Sequence, residues 1–200
     1  MSINRRTVIV GAVLPFTYLA TVRAQSEDPA VIAAWMDAWM FDQKATIGTL
    51  QLSRFVEPIY YLTKPTTWLP DKGQEHLRPV NVPVGFVTDF ASIPRAFWSA
   101  LRPDGDYTHG AIVHDFLYWT QTGPREHADE ILKIMMEDFS VPGPTVAVIY
   151  SAVRTFGGIA WDQNTKLKAA GERRVLKQFP DDPLTTWKEW KTRPDVFSDI

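Results

Sequence analysis

Three short stretches set acids, or a His-Asp pair, in apolar surroundings. They are Thr88-Asp89-Phe90-Ala91-Ser92-Ile93-Pro94-Arg95, His114-Asp115-Phe116-Leu117-Tyr118 and Ala128-Asp129-Glu130-Ile131-Leu132. Charged side chains rarely enter a core unless they are paired or bound. Asp89, His114, Asp115 and Asp129 together offer one imidazole and three carboxylates, and Tyr118 follows His114 by one helical turn. Such a set can do three kinds of work. His114, Asp89 and Asp129 can hold one divalent ion, because carboxylates with one imidazole suit Zn, Mn, Mg or Ca. His114 can act as a base on water with an aspartate orienting it, as in a hydrolase. The same groups can instead form a buried network that fixes helix packing, since buried polar groups are paired in any case.

Local spacing weighs on each candidate. Asp89 stands where a strand ends, and Ser92 can cap a helix that has Pro94 in its first turn. No Gly-x-Ser-x-Gly elbow accompanies Ser92, so a serine nucleophile lacks its setting. Asp115 projects about 100° away from the His114–Tyr118 face, towards Trp119. Asp129 lies in line with Arg125, Leu132 and Met136, at the border of an apolar stripe. From there it can meet Arg154 or Arg95, or reach His114 across an antiparallel helix pair. Glu130 shares the outward face with His127 and Glu137 and reads as solvated. No His-Glu-x-x-His motif occurs.

The elements that must position these residues divide into two textures. Residues 47–89 alternate or carry aromatic and β-branched runs, with a turn at Pro70-Asp71-Lys72-Gly73 and a Pro-Gly interruption in Val80–Val87. Hairpin-length connections demand antiparallel pairing. Helical spacing follows: a short helix over Ile93–Leu101, then Tyr107–Trp119, Arg125–Phe139, and Pro142–Trp161 with a disturbance near Gly157-Gly158. The short Gln121–Pro124 connection makes the second and third of these antiparallel. Strands followed by helices predict an α+β fold, a small antiparallel sheet packed against three to four helices. A single domain is expected over 28–161, including an N-terminal helix over 28–40. Residues 162–200 read as a charged helix (Lys166–Lys177) and an irregular tail whose Trp187 and Trp190 dock on the core.

The N-terminus reads as an export signal over residues 1–24. Arg5 and Arg6 precede an uncharged apolar run from Thr7 to Val22, and Asn4-Arg5-Arg6-Thr7-Val8-Ile9 resembles a twin-arginine signal. A periplasmic or extracellular location follows as an expectation, with no stable transmembrane span once the signal is removed.

Composition narrows the function classes. With no Cys, neither a disulfide framework, a cysteine nucleophile nor a thiolate zinc site is available. Eight Trp and eleven Phe supply large apolar surfaces for a core instead. A net charge of −2 with no basic stripe argues against nucleic acid as a partner.

Taken together, Thr88-Asp89-x-Ala91-Ser92-Ile93-Pro94-Arg95, His114-Asp115-x-x-Tyr118, Ala128-Asp129 and the later Arg154-x-x-Gly157-Gly158-x-x-Trp161 resemble the family called domain of unknown function 1353. The resemblance covers residues 49–161 and departs at Phe90, where the family's residue is usually small. It implies bacterial and phage relatives. A cell-envelope polymer is then the least arbitrary substrate for a hydrolase. The competing expectation is a non-catalytic envelope or phage-derived binding module, with an envelope polymer or protein as partner and a structural Asp-His-Tyr network.

Overall fold

This computed structural model describes residues 29–30, 33, 49–90 and 107–198. The chain divides into two compact units, Met1–Asp42 and Gln43–Ile200. Within the first, Pro29, Ala30 and Ala33 are helical. The export signal, most of the helix expected over 28–40, and the Ser92–Leu101 segment with Arg95 lie outside the described residues.

The second unit has the expected α+β architecture. Strands β1 (Leu52–Arg54), β2 (Tyr60–Leu62) and β5 (Val87–Thr88) form one sheet in the order β1-β2-β5, and β3 (Thr66–Trp68) pairs with β4 (Val80–Val82). All pairings are antiparallel, with Ser53 opposite Tyr61, Tyr61 opposite Val87, and Thr67 opposite Asn81. Gly85 takes φ +84° between β4 and β5, and a Cβ there would strike the Leu176 backbone. Only glycine fits that close crossing.

Helices α1 (Thr108–Thr120), α2 (Arg125–Asp138) and α3 (Gly143–Ala169) follow. Helix α1 stops at Gln121, which adopts the left-handed conformation and returns its amide to the Leu117 carbonyl. The four-residue link to α2 folds the pair back on itself. Gly110 permits close contact there, since a Cβ would lie 3.2 Å from that of Met135. The main core joins both layers through Leu62, Trp68, Phe86, Ile112, Leu132, Met136, Ile149 and Val153.

Two sequence expectations change here. Helix α3 runs unbroken through Gly157-Gly158 to Ala169, and no second helix occupies Lys166–Lys177. Beyond Ala169 the chain becomes extended: Val175 bridges Phe86, and Leu176 bridges Phe197. These isolated bridges fall where the charged helix was expected, while residues 179–198 are largely irregular, as read from the sequence. Alternation at Val175-Leu176 was too short to signal a strand without its partners. Trp187, in the four-residue helix α4 (Trp187–Trp190), is buried with Phe55, Tyr61, Leu176 and Phe197, and Trp190 packs beside it. The Glu57 carboxylate accepts the Trp187 amide at 2.8 Å and anchors that helix.

Candidate functional site

Helical spacing brings the polar residues together. His114 and Tyr118 stand one turn apart on α1, Arg125 and Asp129 one turn apart on α2, and Arg154, Gly157 and Trp161 along one face of α3. His114, Tyr118, Arg125 and Arg154 converge on the Asp129 carboxylate. Its Oδ1 receives His114 Nε2 at 2.9 Å and the Tyr118 hydroxyl at 2.6 Å. Its Oδ2 receives Arg125 Nη1 and Arg154 Nη1, each at 3.0 Å. His114, Tyr118 and Asp129 are all 0% exposed.

The remaining members tighten the junction. Arg125 also donates to the Val153 carbonyl at 3.0 Å, tying α2 to the α3 backbone. Trp161 packs edge-on against the Tyr118 ring, with centroids 5.2 Å apart and planes at 86°. Gly157 leaves the space that the Tyr118 hydroxyl occupies. Asn164 donates to the Tyr118 carbonyl at 3.2 Å.

The electrostatics follow from this geometry. Burial opposes the charged form of Asp129, but the hydrogen bonds from His114, Tyr118 and Arg154 outweigh it and hold the acid below the usual carboxylate range. Tyr118 is driven the other way, by burial first and then by the bond to Asp129, which favours its neutral, donating form. With Asp129 ionised, Nε2 of His114 is the donor. Nδ1 is buried and has no hydrogen-bond partner among the described residues.

Asp115 belongs to a second cluster on the other side of α1. It is 4% exposed and accepts the Thr88 hydroxyl, which in turn accepts the Phe90 amide at 3.1 Å. That contact ties α1 to the end of β5. It also steadies Phe90 at φ +53°, a conformation that favours glycine. Asp89 is half-buried at the end of β5. The carboxylate that meets His114 is that of Asp129.

The metal set of His114, Asp89 and Asp129 does not fit this arrangement. Among the described residues no group of three or more His, Asp or Glu is placed to hold an ion. Both oxygens of Asp129 face donors, and two guanidiniums beside Oδ2 would repel a cation. Glu130 is also less free than its outward position suggests, because it accepts His76 Nε2 at 3.0 Å.

Residues 68–153 match the model of a family described as "Protein of unknown function (DUF1353)", so the resemblance is borne out over that stretch. The uncharacterized protein y4jT of Sinorhizobium fredii is 32% identical over 88 residues, which are 43% of this chain and 26% of that protein. The chain therefore spans about a quarter of the length of that curated relative. No solved structure matches. Among the described residues no helix is long and apolar enough to cross a membrane.

Proposed function

We propose that the chain is an exported, non-catalytic module that binds a component of the cell envelope, with the Asp129 network locking its three helices together. The observation that carries this reading is the saturation of Asp129. A carboxylate with four donors and no exposure has no lone pair to offer a substrate. The partnership of three helices at one buried acid is what a packing device requires. Export and a periplasmic or extracellular location rest on the Arg5-Arg6 region and the apolar run after it.

The test compares His114→Ala and Asp129→Asn with the parent chain for thermal midpoint and for sedimentation with purified envelope polymer. Both variants should melt earlier, while whatever remains folded still co-sediments. An Asp129→Asn protein that melts like the parent would overturn the packing role.

One observation favours a second reading, a hydrolase. With Asp129 holding Nε2–H, Nδ1 of His114, which has no partner among the described residues, is the nitrogen left to serve as base on an Asp-oriented imidazole. Its complete burial counts against this reading, because substrate and water would need a path that opens. Release of soluble fragments from the polymer, lost in a folded His114→Gln variant, would favour it.

A further inference from the structure

A cavity of about 370 Å³ lies beside the buried network, between the start of β4, the α1–α2 connection and Trp161 of α3. That volume is in the range of small-molecule sites. Its lining contains Arg78, His76 and His127 but no Asp or Glu, in a chain that carries 23 acids. Arg78 is exposed and makes no ion pair among the described residues. His76 and His127 meet edge to face, with centroids 6.0 Å apart, and Glu130 is hydrogen-bonded to His76 alone of the pair. Asn81 accepts the Thr67 hydroxyl through its side-chain oxygen at 3.0 Å, leaving its amide nitrogen as a further donor. Phe116 and Trp161 add flat apolar surface.

A guanidinium free to grip a carboxylate, neighbouring donors and two aromatic walls select a particular chemistry. The carboxylate calls for Arg78, which can bind it through two parallel hydrogen bonds. The rings call for a partner with an apolar face, and the donors for one that also carries hydroxyls. The geometry points to a carboxylated sugar as the ligand: its acid on Arg78, its ring against Trp161, its hydroxyls towards His127 and Asn81. This assignment rests on the reading of the chain as a binding module and names the unit of envelope polymer that it takes.

Titration with glucuronate at low salt tests it, followed by Trp fluorescence and by amide shifts at residues 122–131, with glucose and benzoate as comparisons. Glucuronate should bind, and Arg78→Gln, an exposed change that touches no packing, should weaken it at least tenfold. Arg78→Lys should restore part of the loss. The assignment is overturned if glucose binds as well as glucuronate, if benzoate binds and glucuronate does not, or if Arg78→Gln leaves affinity unchanged. Failure of glucuronate alongside continued co-sedimentation with envelope polymer would remove the sugar site and leave the binding module standing.

Discussion

Gly157 on α3 and Tyr118 on α1 share one space: a methyl group on Gly157 would overlap the Tyr118 hydroxyl and come within 3.1 Å of Arg125 Nη1. The hydroxyl cannot retreat without leaving Asp129. Gly157→Ala should therefore cost about 1–3 kcal/mol as an overpacked, strained core change, despite the better helix propensity of Ala. Tyr118→Phe removes the overlapping oxygen. The double variant should be more stable than the sum of the two singles predicts, a coupling of about 0.5–3 kcal/mol readable from urea midpoints. Strict additivity would mean that the two residues do not compete for this space.

Asp129→Ala should be among the most damaging single changes in the described unit. It leaves two guanidiniums and an imidazole facing each other without their counter-charge. Breaking a buried pair in this way costs about 3–5 kcal/mol, a large share of the ~5–15 kcal/mol available to a domain. Chemical denaturation of the purified protein measures it. A loss under about 1 kcal/mol would place Asp129 with ordinary surface acids.

Acid should weaken the fold in two stages. His109, stacked on Phe139 with centroids 5.0 Å apart, has its pKa lowered by burial. Its contribution is present above the unfolded value of about 6.5 and lost as pH falls through the folded value. Asp129 is also lowered, so its contribution is present above about 3.9 and lost as pH falls further. Melting midpoints from pH 8 to pH 3 should show both steps, with His109→Phe flattening the first and Asp129→Asn the second. A single unchanged step in both variants would refute the assignment.

Alkali should act through Tyr118. Its pKa is raised in the folded chain, so stability is intact below the unfolded value of about 10 and declines as pH rises above it. Tyr118→Phe should be less stable than the parent at pH 7 by about 1.5–3 kcal/mol, the worth of a hydrogen bond to a charged group. The gap should narrow above pH 10. A constant gap across that range would place the alkaline loss elsewhere.

Export by the twin-arginine route predicts that replacing Arg5 and Arg6 by Lys stops the protein from reaching the periplasm. Cell fractionation of a host expressing the full chain reads this. Unchanged periplasmic accumulation would exclude the route.

Helical period made half of the buried centre legible. His114 and Tyr118 share a face because they are four residues apart, and the position of Asp129 at a stripe edge already allowed both His114 and Arg154 as partners. The role of Arg125 was harder to see, since an arginine in the first turn of a helix is usually solvated. Gly157 looked like a helix disturbance, yet its missing side chain is filled by a residue nearly forty positions earlier. Asp115 pointed away from Tyr118 as its spacing requires, but period alone could not say that Thr88 waits there. The strand-like segment at Val175-Leu176 and the cavity around Arg78 depend on pairings between distant stretches, which no local pattern carries.

The bridges of Val175 to Phe86 and of Leu176 to Phe197 also set an order of events during synthesis. Among the described residues, the backbone at β5 finds its outer neighbour in residues 174–176, and those in turn pair with residues 196–198. A chain emerging from the ribosome can close its helical hairpin early, because α1 and α2 are adjacent. It cannot complete this edge, or bury Phe55 and Tyr61 beneath Trp187 and Phe197, until residues 187–198 are made. A nascent chain stalled before that point exposes a strand edge and an aromatic surface together, the combination most prone to pair with another chain. Emergence of residues 196–198 is thus the step that converts an adhesive intermediate into a protected one.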